Sequence, residues 1–403
     1  MEKEKYLVVN AGSSSLKFSL YEMPEQNELV NVYVEKIGSK DCFWTLKING
    51  EKIKKSAPLK DHSEAVEKMM QELVDNKLIE NIDEIKGVGH RVLHGGEFYA
   101  ESVKIEDDVL ANIESIIDLG PLHLPPAINV IKYMQEIMSN DIPQVAVFDT
   151  SFHQSMPKEN FMYPVPYEWY EKYGVRKYGF HGTSYRYITK AMEEKLGKDT
   201  VNLIICHIGS GASIAAVKDS KCFNTTMGLT PLAGLMMGTR SGDIDPSILE
   251  YICKKTNMTV EEATNVLNKQ SGLKGISGEN DFRDVEELME KGDEKATLAF
   301  DMVKNTIVKF IAQYYVELDG ELDAIVFTAG AGENDIDLRR EVLKKLKPLG
   351  IILDEEANDN IAKFRSNKSG IATTADSKVT VYVEPTDEES VILMDTYNIS
   401  KNV

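Results

Sequence analysis

Residues 6–20 read YLVVNAGSSSLKFSL, and residues 202–217 read NLIICHIGSGASIAAV. Each stretch is an apolar, β-branched run, then a Gly/Ser turn, then a second alternating run. That is the pattern of a buried strand leading through a tight turn into a partner strand. Two copies of one hairpin, about half a chain apart, point to duplicated domains rather than one large fold.

Outward from the hairpins, helical and strand signals alternate. Val66, Met69, Met70, Leu73 and Val74 fall at helical spacing after a candidate cap at Ser63. Val109, Leu110, Ile113, Ile116 and Ile117 repeat the spacing. Pro125 and Pro126 stand in the first turn of a third helix running to about Met138. Val145–Phe148 is a second buried strand. Thr183 or Ser184 is placed to cap a helix ending at Gly197, and Thr259 with Glu262 has capping-box spacing. Residues 284–316 read as long helices broken near Gly292, and Ala324–Thr328 and Val379–Glu384 as late strands. Such alternation predicts an α/β fold.

The chain has 403 residues, 46 basic and 65 acidic, a formal charge of −19. At roughly 150 residues per domain, that length predicts two to three domains. The acidic balance argues against general binding to nucleic acid or an anionic membrane surface. Cys42, Cys206, Cys222 and Cys253 are far apart, so free thiols in a reducing compartment are expected rather than disulfides or a zinc site. His90, His94, His123 and His153 show no zinc-site spacing. No apolar run reaches the ~18 residues of a membrane span, and the charged start MEKEKY carries no signal-peptide core. A cytoplasmic protein is expected.

Chemistry concentrates at the turns. Asn10–Lys17, NAGSSSLK, combines a glycine turn with hydroxyls and a cation suited to phosphate oxygens, and it is not a Walker P-loop. On its own it reads equally as an ordinary hairpin. His207–Gly211 (HIGSG) and Gly330–Asn334 (GAGEN) are two more glycine turns at strand ends. Three together favour a nucleotide more than any one. Arg91, in GHRVLHGGE, and Arg240, in MMGTRSGDIDP, lie among glycines, where a guanidinium fork suits carboxylate and phosphoryl oxygens or ties loops together. Asp149 directly follows the strand Val145–Phe148, at the sheet end where α/β proteins bind ligands, and also reads as a turn cap. His181, in a Gly-flanked turn before a helix, can donate to a transferring phosphoryl group or be structural.

At these segments the chain resembles the acetate kinase family. The carriers are NAGSSSLKFSLYE, HRVLHGGE, FDTSFHQSMP, YGFHGTS, TPLAGLMMGTRSGDIDP, SGLKGISG, DFRD, FTAGAGEN and PTDEES, in order and across nearly the whole sequence. The resemblance implies two duplicated ribonuclease-H-like (actin-like ATPase) domains around a central cleft. Residues 1–148 with 387–403 would form the N-terminal domain and 149–386 the nucleotide-binding one. It implies reversible phosphoryl transfer between ATP and acetate, giving ADP and acetyl phosphate, with Mg²⁺ (Mn²⁺ as a substitute), typically in a homodimer.

Position by position, Asn10 and Glu388 would place Mg²⁺, Lys17 would contact nucleotide phosphate, and Arg91 would bind the carboxylate. Asp149 would be the acid/base or substrate-orienting carboxylate, and His181 and Arg240 would stabilise the transition state. His207, Ile208, Gly209, Ser210 and Gly211 would run along the ATP phosphates. Asp281, Phe282 and Arg283 would hold the adenosine with Gly330, Ala331, Gly332, Glu333 and Asn334. Leu93, Leu122, Phe180 and Pro231 would form the acyl-methyl pocket. The chain departs from the family pattern at Ser210 (usually Asn), Tyr185 (usually His) and Leu93 (commonly Val). Because the acceptor is already an anion at neutral pH, no strong general base is required, and direct in-line transfer without a phosphoenzyme is expected. The competing expectations are a propionate or other short-chain carboxylate kinase, and a non-catalytic actin-like nucleotide-binding module.

Overall fold

The computed structural model describes residues 3–362 and 369–402. The chain divides into two compact units, 1–154 with 387–403, and 155–386. The sequence places this boundary at 148/149 instead. Residues 149–154 stay with the first unit because Asp149 N–H donates to Val92 O (3.1 Å), Gly95 N–H to Thr150 Oγ1 (3.0 Å) and Gln154 Nε2 to Gly96 O (2.9 Å).

The first unit carries β1 (Glu4–Ala11), β2 (Ser15–Met23), β3 (Asn27–Glu35), β4 (Phe43–Ile48), β5 (Glu51–Ser56), β6 (Ile85–Val92), β7 (Val103–Lys104) and β8 (Gln144–Phe148). They form one sheet in the order β5-β4-β3-β2-β1-β6-β8-β7. The second unit carries β9 (Leu203–Ile208), β10 (Ala212–Lys218), β11 (Lys221–Thr225), β12 (Ala324–Thr328), β13 (Gly370–Ile371) and β14 (Thr380–Val383) in the order β11-β10-β9-β12-β14-β13.

The two sheets have the same central strand order. In each, three antiparallel strands (β3-β2-β1 and β11-β10-β9) continue through two parallel ones (β6-β8 and β12-β14). This common order is the ribonuclease-H-like arrangement, and the repeated hairpins of the sequence are β1–β2 and β9–β10.

Strand alternation explains the layering in the first unit. Leu7 and Val9 face a core built with helices His62–Asp75 and Leu124–Ile137, while Tyr6 and Val8 face helix Glu388–Lys401 through Ile392 and Leu393. A strand buried on both faces needs this near-continuous apolar run. Helix Glu388–Lys401 approaches β6 closely because Gly89 has no side chain: a Cβ there would lie 2.2 Å from Thr396 Oγ1 and 2.7 Å from Ile392 Cγ2. That close packing sets Glu388 and Glu389 beside the end of β1. No helix among the described residues is long and apolar enough to cross a membrane.

Three local expectations need correction. Asp61, not Ser63, caps helix His62–Asp75, accepting from Glu64 N–H. Thr183 and Ser184 lie inside the first turn of helix Gly182–Leu196, and its cap position is His181 in a left-handed conformation, φ +60°. The third glycine turn is a short helix, Ala329–Asn334, closed by its own Glu333 side chain rather than by an open loop.

Candidate active site

In the first unit the site is assembled by strand register. Asn10 of β1 pairs with Lys17 of β2 and with Arg91 of β6, so three neighbouring strands present these side chains in one row. Arg91 in turn sits opposite Val147 of β8, which places Asp149 just past that strand's end. The row lines a cavity of about 110 Å³ with Val8, Glu388, Glu389 and Ile392.

Arg91 and Asp149 form a bidentate pair, Nε to Oδ1 at 2.9 Å and Nη2 to Oδ2 at 2.6 Å. Asp149 is fully buried, and its charge, more than burial opposes, holds the guanidinium firmly in its charged form. Two of the five N–H groups of a guanidinium are thus used. The rest have no protein acceptor among the described residues and remain for an anion. Sequence reasoning names both residues but not their union, because they are far apart in the chain.

It also misses Glu389. One carboxylate oxygen pairs with Lys17, and the other accepts from Ser19 Oγ (2.9 Å) and Tyr21 O–H (2.8 Å). The tandem acids in TDEES are the available signal. Leu93 packs in the core beneath β6, whereas Leu122 is 51% exposed and not enclosed within its unit.

The second unit brings together two imidazoles, a guanidinium and the glycine turns. His181 Nδ1 is 2.8 Å from Ser213 Oγ, and His207 Nδ1 is 2.8 Å from Ser184 Oγ, which bonds Thr386 Oγ1 at 2.9 Å. The His181 and His207 rings stack at 4.1 Å. One position on the turn shows where these groups point. A Cβ on Gly211 would lie 3.4 Å from Arg240 Nη1 and 3.6 Å from His181 Nε2.

Arg240 donates to Pro231 O at 3.1 Å and has no carboxylate partner among the described residues. Burial weakens its hold on the proton, with nothing opposing it. A partly desolvated cation of this kind is relieved by an anion. The left-handed backbone at His181 costs about 1 kcal/mol for a non-glycine residue, a strain typical of functional positions.

The remaining nucleotide candidates surround this point. A Cβ on Gly209 would approach Gly330 N (3.9 Å), one on Gly332 would approach Ile208 Cβ (3.7 Å), and one on Gly238 would meet both Asn280 O (2.7 Å) and Ser210 O (3.6 Å). The His207–Gly211 turn therefore lies against the Gly330–Asn334 helix, and Gly238 lies close to both Ser210 and Asn280, just before Asp281. Asp281 caps helix Phe282–Glu290 and forms an exposed two-bond pair with Arg283, while Phe282 is buried. Glu333 accepts from Ala329 N–H and Thr386 N–H, and Asn334 donates to Gly330 O, so both side chains brace their own turn. Phe180 is buried, and Pro231 serves Arg240 through its carbonyl.

A carboxyl pair ties these candidate adenosine segments together. Glu286, one turn after Arg283, faces Asp335, which caps the helix after Asn334. Glu286 Oε1 and Asp335 Oδ2 each lack a donor among the described residues. One shared proton satisfies both, and burial, reinforced by Asp335, pushes Glu286 up to about 8. A carboxyl raised in the folded state stabilises it below its unfolded value and loses that contribution as pH rises to its folded value. Unfolding stability is therefore expected to fall between about pH 4.5 and 8. Denaturant titrations of Glu286→Gln should show a flatter slope over that window.

The geometry can be set beside known proteins. The acetokinase family model matches residues 5–394. An acetate kinase of Bacillus cereus is 47% identical over 398 residues, covering 98% of both chains. That of Exiguobacterium sp. is 47% identical over 403 residues, covering 99% of this chain and 98% of the relative. Among solved structures, Porphyromonas gingivalis acetate kinase superposes with TM-score 0.92 at 41% identity over 98% of this chain and 99% of that one. A propionate kinase from Francisella tularensis gives TM-score 0.92 at 42% identity, covering 98% and 100%. Matches of this length and identity, on a site already built of paired cations at glycine turns, assign the chain to the acetokinase family.

Proposed function

We propose that the chain is an acetate kinase, transferring the γ-phosphoryl group of ATP reversibly to the acetate carboxylate. The observation that carries this reading is the cation pair at Gly211: Arg240, without a carboxylate partner among the described residues, and His181. Phosphoryl transfer asks for positioning and charge stabilisation more than for covalent chemistry, and these groups supply it. In the first unit, Arg91 keeps free guanidinium donors for the acetate carboxylate while Asp149 fixes its plane. Both Asp149 oxygens are engaged, so it orients Arg91 and does not need to act as a base. Lys17, held by Glu389, contacts nucleotide phosphate.

Asn10 and Glu388 fit a hard divalent cation. Both offer oxygen ligands in one cavity, and the Asn10 carboxamide has no other hydrogen-bond partner among the described residues. Mg²⁺, or Mn²⁺ in its place, would neutralise phosphate charge there. The His207–Gly211 turn holds the ATP phosphates, and Asp281–Arg283 with Gly330–Asn334 hold the adenosine. Cytoplasmic location and a homodimer complete the reading.

Propionate is the second candidate substrate, favoured by the likeness to the Francisella tularensis propionate kinase. Leu93, one methylene larger than the Val common in the family, favours acetate, since one methylene is worth about 1–3 kcal/mol in an apolar pocket. Hydroxamate trapping of the acyl phosphate with acetate, propionate and butyrate decides it. The expected order of kcat/KM is acetate, then propionate, then butyrate. Higher efficiency with propionate reassigns the acyl substrate, and no ATP-dependent hydroxamate with any of them refutes the kinase reading.

A further inference from the structure

The turn between β1 and β2 is held from outside by a side chain. His62 Nε2 lies 2.8 Å from Gly12 O, 50 residues back along the chain. A carbonyl only accepts, so Nε2 carries the proton and donates. His62 is the first residue of helix His62–Asp75, whose Ala65, Val66 and Met69 share a core with Leu7, Val9, Leu16 and Phe18 of the two strands flanking the turn. Packing thus fixes the donor relative to the turn. A second carbonyl is held as well, since Ile37 N–H donates to Ser14 O at 2.9 Å.

Holding Gly12 O decides where the next N–H points. The Gly12 C=O and the Ser13 N–H belong to one planar trans peptide and point in opposite directions. Helix His62–Asp75 packs on the sheet face that carries Leu7 and Val9, while Asn10, Lys17 and Arg91 lie on the other face with Val8. With its carbonyl drawn toward the helix, the peptide turns Ser13 N–H away from it, to the side of Asn10 and Lys17. Ser13 is exposed, and its N–H has no acceptor among the described residues. Glycine at position 12 makes the hold necessary. A Cβ there would lie 2.5 Å from Ser15 Oγ, so the position excludes larger residues, and a peptide that follows glycine flips at little steric cost. Flipped, it would put a carbonyl oxygen where the N–H now stands.

The geometry points to His62 as a positioning residue that locks the Gly12–Ser13 peptide with its N–H presented to a phosphate oxygen of the nucleotide. Backbone N–H groups in such turns bind phosphate, and a carbonyl in the same place would repel it. The phosphate half of this inference rests on the kinase reading; the hydrogen bond and its direction do not.

Two readouts keep the halves apart. Long-range ¹⁵N–¹H spectra of the histidine-labelled full chain report which ring nitrogen is protonated, with His62 assigned by its loss in His62→Gln. At a pH where the ring is neutral, His62 is expected to carry its proton on Nε2. A neutral ring protonated at Nδ1 overturns the lock whatever the chain binds. Calorimetric titration with Mg-ATP reads the phosphate half. His62→Phe keeps a ring and loses the donor, and it is expected to weaken binding about tenfold, the scale of one hydrogen bond to a charged group. His62→Ala serves in its place if His62→Phe does not fold. His62→Gln keeps an N–H donor without the ring and is expected to restore most of the affinity, which a loss of packing alone would not allow. Affinity unchanged without the donor, or lowered equally in His62→Gln, overturns the assignment. Absence of ATP-dependent hydroxamate in the wild type would refute the kinase reading and leave both readouts standing.

Discussion

Arg91→Ala is expected to abolish most acyl phosphate formation and to destabilise the first unit as well. The two effects have one cause. On the proposed reading Arg91 supplies the fork for the substrate carboxylate, and it is the partner of Asp149, which is 0% exposed. Removing it takes a charge-assisted, two-bond donor site away from acetate, and kcat/KM should fall by about 10³-fold, roughly 4 kcal/mol of transition-state binding. It also leaves a buried carboxylate without its counter-charge, at a cost of about 3–5 kcal/mol in unfolding stability. Adding Asp149→Asn to the variant should recover much of the stability and none of the activity. Denaturant midpoints and hydroxamate rates on the single and double variants check both halves.

Arg240→Ala should separate what Arg91→Ala combines. Arg240 is partly buried without a carboxylate partner among the described residues, and burial alone weakens its charge. Its truncation removes an unfavourable desolvation, so unfolding stability should hold or rise slightly. Its fork lies with His181 beside Gly211, and on the proposed reading it serves the charge that develops on the phosphoryl group. Loss of one such donor costs about 10²–10³-fold in kcat. KM for ATP should change much less, because the glycine turns and the Asp281–Arg283 segment remain. Arg240→Lys keeps the charge but not the planar fork, so it should recover only a small part of the rate. A variant that loses activity only in proportion to lost stability would remove Arg240 from the reaction.

The fold is legible in the sequence because its signals are local. The Tyr6–Leu20 and Asn202–Val217 hairpins, the prolines at the start of helix Leu124–Ile137 and the Thr259 capping box each follow from neighbouring residues. The caps are misread where local chemistry offers two candidates. Asp61 outcompetes Ser63, and His181 takes a left-handed position that a sequence rule assigns to glycine or asparagine.

Site residues are legible as types and positions, but their unions are not. Arg91 meets Asp149, Lys17 meets Glu389 and Tyr185 meets Ser213 only through strand register and helix packing. Nothing in the spacing of one chain encodes those pairings. The family resemblance supplies residue roles, and the structure supplies the physical couplings: which cation is already paired, and which still seeks an anion.

On the proposed reading the phosphoryl group passes directly between two anions held by cations, with no side chain as its carrier. The stereochemical course at the transferred phosphorus tests this most directly. With ATP made chiral at the γ-phosphorus by oxygen isotopes, a single in-line displacement gives acetyl phosphate of inverted configuration, and inversion is the predicted result. Retention would require two displacements through a phosphorylated residue, and would contradict it.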